Sequence, residues 1–351
     1  MRKPFLCGVR TFILIGVFLL VQLVFLSLFI NKVHKCNSFN ITETTTMQRC
    51  ETEPHPSVGP RLVQDVPDWE KTLDFTEFNN ETGTADGHYI IPNYVHFLKF
   101  QYATFNFIHM VCLLAAFKHQ RPEKLFIHTD VPEFYGKYWE VLINTPGFKK
   151  VLVIKRMELP KEVFGQPLNP AWAGFHGGDV ARLLVMRQYG GIYVDNDSYL
   201  IRNMDDFRRF EMVVAYRPGK AMMNQVVLAH KDARLLKEWQ NGYKDYRPDE
   251  WYYNAGMHPA LVLRERPNLV HSVSDLLGTY DIRRLIYLKR WHEWKTYYSC
   301  HLMVRWVRKY RHIGYPNPIE EKDVLKYDNT LVDMVQDVYD IKRLKKKKGA
   351  V

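Results

Sequence analysis

Cysteine is scarce in this sequence, and its placement indicates no zinc site. Five cysteines occur in 351 residues, at positions 7, 36, 50, 112 and 300, and their spacings match no zinc-binding pattern. The four from Cys36 onward allow three disulfide pairings, of which Cys36 with Cys50 is the most local and the one we expect. Internal repeats are absent as well.

No nucleic-acid-binding motif accompanies the basic composition of the chain. The net charge is +11 and the isoelectric point is near 9.2, which by itself is compatible with a nucleic-acid partner. However, six of the positive charges lie in the run from Lys342 to Lys348, and such runs are typical of a solvated tail. We therefore expect a basic tail at residues 341–351 and no nucleic acid as a partner.

Charged residues are missing from one long hydrophobic stretch, residues 11–30 (TFILIGVFLLVQLVFLSLFI). At about 1.5 Å per residue this stretch matches the ~30 Å hydrocarbon core of a bilayer. The small-residue cleavage site that a signal peptide requires does not follow it. We expect an uncleaved transmembrane signal anchor, with Arg2, Lys3 and Arg10 in a cytosolic tail over residues 1–10 and the large domain in the lumen.

The segment between the anchor and the first apolar strand, residues 31–87, is polar and contains four prolines. Such a composition is typical of a stem or linker. Asn40-Ile41-Thr42 and Asn80-Glu81-Thr82 match the pattern of N-glycosylation acceptors. Both matches agree with a protein of the secretory pathway.

Strand-like and helix-like segments alternate from His88 onward. Short apolar strands lie in HYIIPNYVHFLKF, KLFIHTD, VLVIKR and IYVDND, and segments with helical apolar spacing separate them. This alternation predicts an α/β domain over residues 88–340 with a mostly parallel sheet covered on both faces. Because ligands bind beyond the carboxyl ends of the strands in such sheets, Asp130, Asp195 and Asp197 should face one crevice.

Two carboxylates at the end of one strand, Asp195 and Asp197 in GIYVDND, repel each other unless a positive charge lies between them. Residues i and i+2 of a strand point to the same side, so both carboxylates could converge on one cation. Oxygen ligands suit hard divalent ions such as Mn²⁺ and Mg²⁺. The bare Asp-x-Asp pattern is more often a polar turn, since Asp and Asn favour turns.

A helix immediately upstream brings an acidic and a basic residue to the same edge. Asp179 and Arg182 are three residues apart in HGGDVARLLVMRQYGG and therefore share a helix face. Asp179 is either a helix N-cap or a member of the site. Arg182 either forms a structural ion pair with Asp179 or Asp195, or takes part in the chemistry.

The run from Asp179 to Asp197 resembles the signature of the DXD-containing sugar transferases of glycosyltransferase family 32. Asp-x-x-Arg is followed by Gly-Gly-x-Tyr-x-Asp-x-Asp, as in that family, and IPNYVHFLKF and LFIHTD resemble its first two strands. The resemblance implies a GT-A fold, a Rossmann-like nucleotide-sugar-binding domain. It also implies a single-pass type II protein of the Golgi membrane.

The resemblance implies residue roles as well. Asp195 and Asp197 would hold Mn²⁺ or Mg²⁺ against the diphosphate of a nucleotide-sugar donor, and Asp179 and Arg182 would act on the donor sugar. His301 would be a third metal or phosphate ligand, although a packed histidine fits the sequence equally well. Donor contacts are implied for the following set: Val95, His96, Asp130, Asp179, Arg182 and Asp195.

For the reaction, the family resemblance implies transfer with retention of the anomeric configuration, through front-face attack by the acceptor hydroxyl. UDP-sugars are favoured as donors, because the chain resembles the animal α-1,4-galactosyl- and N-acetylglucosaminyltransferase branch. The acceptor would be a glycan, a glycolipid or a glycoprotein.

Two other functions are compatible with parts of this pattern. Haloacid-dehalogenase-like phosphatases place Asp-x-Asp after a strand, but their motif opens the domain and continues to Thr or Val where this chain has Tyr199. A non-catalytic lumenal sugar-binding protein could keep the fold without turnover. The complete set of Asp179, Arg182, Asp195 and Asp197 favours the metal-dependent transferase over both.

Overall fold

This computed structural model describes residues 68, 70–278, 282–307, 316 and 318–341. The predicted cytosolic tail, the signal anchor, the Cys36–Cys50 pair, the Asn40 site and residues 342–351 of the basic tail lie outside that part of the chain. Of the helices that the structure describes, none has the length and apolar character needed to span a bilayer.

The strands of the described residues form one large sheet and two small ones. In chain order they are β1 (Tyr94–Leu98), β2 (Lys124–Thr129), β3 (Leu152–Arg156), β4 (Glu162–Val163), β5 (Gln166–Pro167), β6 (Gly191–Val194), β7 (Ser198–Leu200), β8 (Met212–Ala215), β9 (Met223–Ala229), β10 (His271–Ser272) and β11 (Ser299–His301). The large sheet has the order β10-β8-β9-β6-β1-β2-β3, while β4 pairs with β5 and β7 pairs with β11.

Helices cover both faces of the large sheet. Those that the structure describes are α1 (Phe107–Ala115), α2 (Lys137–Ile143), α3 (Phe148–Val151), α4 (Ala173–Tyr189), α5 (Arg234–Asn241), α6 (His258–Glu265), α7 (Arg283–Leu288), α8 (Val304–Val307), α9 (Glu321–Val324) and α10 (Thr330–Val338). The Asn106 side chain caps the first turn of α1 by accepting a hydrogen bond from the His109 N–H, at 2.8 Å.

Alternation along the strands creates two separate hydrophobic layers. Ile192 and Val194 of β6 point to the layer that contains α1, whereas Tyr193 points to the layer that contains α4 and α5. A strand that is buried on both faces is apolar at every position, which explains the unbroken apolar run before Asp195. The predicted α/β class with both faces covered is therefore confirmed.

The large sheet is mostly parallel, as the sequence predicted, and β9 is the one strand of the seven described that runs in the opposite direction. The four strands β6, β1, β2 and β3 are parallel in the described sheet, but β9 runs antiparallel to both β6 and β8. A short connection, residues 216–222, joins β8 directly to β9. Such a hairpin can only produce antiparallel neighbours, whereas each parallel pair is connected by a helix.

The packed body begins before His88, because the described part of the predicted stem lies against it. Phe75 is buried in the layer of α1. The Arg234 guanidinium donates to the backbone carbonyl of Phe78 and forms an ion pair of 2.7 Å with the fully buried Glu211. Residues 70–87 are thus fixed on the domain, although the sequence assigned them to the stem.

This packing contradicts the prediction that Asn80 is an acceptor for N-glycosylation. Its amide donates to the Glu211 carboxylate and to the Asn268 carbonyl, both at 2.9 Å, and its carbonyl accepts from the Glu211 N–H. The side chain is buried and both amide hydrogens are engaged, so no glycan can be attached without breaking these contacts. The prediction of a glycosylated Asn80 is therefore wrong for the folded protein, since a sequence pattern carries no information on burial.

A pair of buried histidines lies between the sheet and α4. The His96 ring donates from Nε2 to the Gly190 carbonyl at 2.9 Å, which leaves Nδ1 to accept from His128 Nε2 at 3.1 Å. Both histidine rings stack with Phe126, and the His96 ring also stacks with Tyr189. Two protonated imidazoles could not form the hydrogen bond between the rings, because both facing nitrogens would then be donors.

Acid should weaken the fold through this pair. Burial lowers the pKa of His96 well below its ordinary value, and burial together with the nearby Lys155 charge lowers the pKa of His128 to about 4. The unfolded chain therefore binds more protons than the folded chain between about pH 6.5 and pH 4. The contribution of the neutral pair to the free energy of unfolding is fully present above this pH range, and it is lost as the pH falls through the range.

His128→Gln should reduce this pH dependence. The wild-type protein should lose more unfolding free energy between pH 7 and pH 5 than the variant does, by about 2 kcal/mol for one such histidine. Urea unfolding at both pH values measures the difference. His292→Gln, at an exposed position, serves as the control and should follow the wild type. An unchanged pH dependence in His128→Gln would contradict the role of the pair.

Candidate active site

A turn after β6 and a second pair of strands bring the acidic residues and a histidine together. The Asp195 N–H donates to the Gln225 carbonyl of β9 at 2.8 Å, and the Ser198 N–H donates to the Asp195 carbonyl at 2.9 Å. The chain then turns into β7, whose Ser198 is opposite His301 of β11. Asp195, Asp197 and His301 therefore meet at the carboxyl end of β6, although His301 is distant in sequence.

The start of β6 lies close against β1 because of a glycine. Gly191 has a φ of +105°, and a Cβ atom at this position would lie 2.6 Å from the Tyr94 carbonyl oxygen of β1. Any larger residue would separate β6 from β1 and move the turn that follows. The Gly-Gly pair of the sequence is thus a local requirement for the position of Asp195.

Asp197 is held as a carboxylate. His301 Nε2 lies 3.2 Å from its Oδ1, and the Val304 N–H donates to its Oδ2 at 3.2 Å. Burial by itself would raise the pKa of Asp197, but the charge and hydrogen bond of His301, followed by the charges of Arg305 and His109, lower it to about 2. In return, Asp197 raises the pKa of His301 against the opposing effect of burial.

The three side chains have the composition and spacing of a divalent metal site. One ligand atom each from Asp195, Asp197 and His301 lie within 4.8 Å of one another. Two carboxylates and an imidazole fit a hard or borderline ion such as Mg²⁺ or Mn²⁺. Buried polar atoms without a partner among the described residues also surround this point: Arg182 Nε, Asn196 Oδ1, His109 Nδ1 and His301 Nδ1.

Arg182 balances the carboxylates on the other side. Its Nη1 donates to Asp179 Oδ1 at 2.7 Å and its Nη2 donates to Asp195 Oδ1 at 3.1 Å. The guanidinium also lies over the Tyr193 ring, 4.5 Å from its centroid, and the Tyr193 hydroxyl donates to Asp195 at 2.7 Å. The structural ion pair anticipated for Arg182 is therefore present with both aspartates.

Asp179 lies two turns inside α4, so it is not a helix N-cap. The helix begins at Ala173, three residues before the start that the sequence suggested. Burial, opposed by Arg182, raises the pKa of Asp179. Its Oδ1 also accepts from Asn224 of β9 at 3.2 Å. Asp179 and Arg182 are thus fixed beside Asp195 by contacts from both the helix and the sheet.

Two predicted donor contacts are corrected by the structure. Val95 and His96 are both 0% exposed, with Val95 in the hydrophobic layer of α1 and His96 in the histidine pair under α4. Their side chains cannot meet a ligand in the crevice. The reason is the length of β1, which continues to Leu98 and so places its carboxyl end beyond both residues.

Asp130 does lie at the edge of the crevice, and it joins two loops there. Its Oδ1 accepts from the Gln101 N–H at 2.7 Å, which ties the loop after β2 to the loop after β1. A pocket of about 480 Å³ opens between these loops, lined by residues 101–104, residues 131–133 and Tyr135. Asp130 therefore shapes a pocket at the same sheet edge as the metal-binding group.

Three cationic or titratable side chains at this edge were missed by the sequence analysis. Lys99 follows β1 directly, and burial lowers its pKa to about 8 even though Asp130 opposes the effect. His109 comes from α1 and Arg305 from α8. A lysine directly after a strand was a usable signal, whereas only the folded chain brings His109 and Arg305 close to Asp197.

The central part of the chain matches a known family model. Residues 128–214 match the model of the glycosyltransferase sugar-binding region containing the DXD motif. This range includes Asp130, Asp179, Arg182, Asp195 and Asp197. It accounts for about a quarter of the sequence, and it ends well before His301.

Curated relatives match over part of their length. Glucan organizing enzyme 1 of Cryptococcus neoformans var. grubii is 21% identical over 194 residues, which are 52% of this chain and 50% of that protein. O-glycosyltransferase braB of Annulohypoxylon truncatum is 30% identical over 116 residues, 29% of this chain and 27% of that protein. The chain thus spans half or less of the length of these relatives.

Solved structures with some likeness include further transferases. PaToxG glycosyltransferase has a TM-score of 0.35 and 15% identity, covering 50% of this chain and 69% of that one. Mouse xyloside xylosyltransferase 1 has a TM-score of 0.34 and 12% identity, covering 59% of this chain and 93% of that one.

Removal of the Asp197 charge should abolish tight metal binding. Asp197→Asn keeps the shape and an acceptor for the Val304 N–H, yet it should weaken Mn²⁺ binding by more than about 100-fold, beyond the effect of losing an outer hydrogen bond. Calorimetric titration of the full chain with MnCl₂ measures the affinity. Asp337→Asn is the matched control, because Asp337 also pairs with a histidine, His119, at 2.9 Å. Equal affinity in Asp197→Asn and wild type would exclude the site.

Loss of the Arg182 charge should destabilise the fold. Arg182→Met leaves Asp179 and Asp195 without their buried partner, which we expect to cost about 3–5 kcal/mol of unfolding free energy. Arg187→Met on the same helix is the control. Arg187 donates to the Lys231 carbonyl at 2.9 Å, so its loss should cost about 1 kcal/mol. Urea unfolding compares the two, and similar losses would show that Arg182 is not the balancing charge.

Proposed function

We propose that this chain is a metal-dependent glycosyltransferase that moves a sugar from a nucleotide-sugar donor to an acceptor hydroxyl. The observation that carries the proposal is the group of Asp195, Asp197 and His301 at the carboxyl end of β6, beside the Arg182–Asp179 pair. This group is built around the DXD motif of the region that matches the family model. We further assign the chain to glycosyltransferase family 32 and its domain to the GT-A fold.

The donor diphosphate needs positive charge, and the site offers it in two forms. Asp195, Asp197 and His301 would hold Mn²⁺ or Mg²⁺, which when bound neutralises the diphosphate as it leaves. Lys99 and Arg305 are cations at the same edge of the sheet. The pocket between the loops after β1 and β2 has space for the base and ribose of the donor, with Asp130 at its edge.

Arg182 and Asp179 would position the donor sugar. Arg182 is held from three directions by Asp179, Asp195 and Tyr193, so it cannot rotate towards solvent. Burial raises the pKa of Asp179 even though this cation opposes the effect. A fixed carboxylate and guanidinium are suited to binding sugar hydroxyls in one orientation, which is the contribution of orientation to catalysis.

For the reaction itself, we propose retention through front-face attack. The bond between the anomeric carbon and the donor phosphate oxygen breaks, and its electron pair stays with the diphosphate. The acceptor hydroxyl oxygen forms the new bond to the same face, and its proton passes to the departing phosphate oxygen. A transition state with oxocarbenium character is expected for such a step.

A UDP-sugar is the proposed donor, with hexosyl or N-acetylhexosaminyl transfer to a glycan, glycolipid or glycoprotein. The Golgi membrane is the proposed location, with a type II orientation, because residues 11–30 have the sequence of a signal anchor. A DxD phosphatase is disfavoured, because its motif opens the domain, whereas β1, β2 and β3 precede Asp195 here.

The full chain should release a nucleoside diphosphate from one donor in a metal-dependent manner. We would incubate it with UDP-galactose, UDP-N-acetylglucosamine, UDP-glucose and GDP-mannose, with Mn²⁺ or with EDTA, in the presence of acceptor glycans. Release with Mn²⁺ only, reduced to background in Asp197→Ala, is the expected result, because that variant loses the charge that holds the metal. Asp337→Ala should remain active.

Two outcomes would overturn this proposal. Turnover of wild-type magnitude in Asp197→Ala would show that the metal group is not used. A folded wild-type protein that binds Mn²⁺ but releases no diphosphate from any of these donors would favour the non-catalytic sugar-binding function.

A further inference from the structure

Three aromatic side chains form an exposed cluster at the start of α4, which we name the aromatic platform: Trp172, Phe175 and Trp251. The Trp251 ring centroid lies 4.7 Å from that of Trp172 and 4.7 Å from that of Phe175. Each of the three residues remains 36% exposed in spite of these contacts. Large aromatic residues that pack on one another and still face solvent are typical of a binding surface.

The platform is continuous with the candidate active site along α4. Trp172 precedes the first residue of the helix, and Phe175, Asp179 and Arg182 follow at helical spacings of three or four residues. His176 lies between the platform and Asp179, with its ring 6.0 Å from that of Trp251. The first turns of this helix thus run from the platform to the residues proposed to hold the donor sugar.

A second connection leads from the platform to the metal group. The Arg305 guanidinium lies over the Phe175 ring, 4.3 Å from its centroid. The same cation acts electrostatically on Asp197 and His301. The platform therefore flanks the point where the transferred sugar would leave its diphosphate.

Polar groups border the rings, and they distinguish a sugar from a purely apolar ligand. The side chains packed beneath the platform are aromatic and polar, and they include Tyr246, Glu250 and Asn254. Asp249 and Glu250 directly precede Trp251 and are exposed. The Asp249 and Glu250 carboxylates accept from Asn169 and Arg247 through one oxygen each. A lipid chain would remove water from these exposed carboxylates, whereas sugar hydroxyls can donate to them.

We propose that the aromatic platform binds a sugar ring of the acceptor, with the apolar C–H face of a hexose stacked on Trp172 and Trp251. The C–H bonds of that face are electron-poor, and they pack on the electron-rich face of an aromatic ring. The reacting hydroxyl of the acceptor then points towards Asp179 and the donor. The acceptor class is therefore a glycan with a hexose at or next to its reacting end. That the bound sugar belongs to an acceptor rests on the proposed transferase function, whereas the binding of a sugar by the platform does not depend on it.

Glycan binding is measured separately from turnover. The full chain, reconstituted in nanodiscs with EDTA and no donor, is applied to a slide that carries lactose, N-acetyllactosamine, maltose, chitobiose and mannobiose, and stearoyl chains on the same linker. Trp172→Ala and Trp251→Ala should lower binding to the bound glycan by about tenfold, and Trp251→Phe should restore most of it. Hydrolysis of the donor with Mn²⁺ and no acceptor should stay within about twofold of wild type in all three variants.

Tyr89→Ala is the matched control. Tyr89 is 40% exposed and also lies under an arginine, Arg208, at 4.5 Å, but it precedes β1 and so lies at the opposite edge of the sheet. The Tyr89→Ala variant should bind glycans as tightly as the wild type does. Thermal melting of every variant identifies a folding defect, and Trp251→Phe preserves the packing if Trp251→Ala does not fold.

The outcomes separate this inference from the proposed function. The platform would be overturned as a sugar site if Trp172→Ala and Trp251→Ala bound glycans as well as the wild type does. It would also be overturned if the wild type bound none of these glycans, or bound only to the stearoyl spots. Glycan binding that depends on both tryptophans, in a protein that hydrolyses no donor, would support the platform and contradict the transferase. Tryptophan-dependent binding together with donor hydrolysis supports both.

Discussion

Repulsion between carboxylates at the end of β6 is the constraint on which the rest of the site depends. Asp179, Asp195 and Asp197 are brought close together in a partly buried place, where unbalanced charge is costly. The fold offsets two of them with Arg182, which is held by Asp179 and Asp195. The third is offset by His301, which faces Asp197 at 3.2 Å.

This division of charge defines two sides of one crevice. On the α4 side, the guanidinium is fixed by several contacts and suits a role in orienting the donor sugar. On the β7–β11 side, a cation could bind the ionised carboxylate of Asp197 and the imidazole of His301. It could also bind the Asp195 oxygen that does not accept from Arg182. The aromatic platform borders the first side through α4 and the second through Arg305. Donor, metal and acceptor would therefore meet where the opposing charges are closest.

The local part of the site could be predicted from the sequence, because one helix, one turn and one strand deliver it. Asp179, Arg182, Asp195 and Asp197 lie within nineteen consecutive residues, and helical and strand periodicity fix their directions. The position of His301 beside Asp197 was anticipated only through the family resemblance. Contacts such as those of Arg305 and Trp251 depend on how distant segments pack, which periodicity does not encode.

The errors have similarly specific causes. Val95 and His96 were named as donor contacts through the family resemblance alone, whereas both lie inside β1, which continues to Leu98, and their side chains are buried. Asn80 matched an acceptor pattern, while its burial against Glu211 follows from tertiary structure. Strand β9 was not identified in the sequence, and its antiparallel direction could not be predicted, because an apolar run shows that a strand is buried but not which way it runs.

The most direct test of the charge arrangement is crystallographic. Crystals of the protein soaked with MnCl₂ and UDP should show an anomalous scattering peak within about 2.5 Å of a carboxylate oxygen of Asp197, with Asp195 and His301 around it and the UDP diphosphate as a further ligand. A peak at another place, or UDP bound in the crevice with no metal at Asp197, would contradict the central claim that these carboxylates are held together to bind a cation.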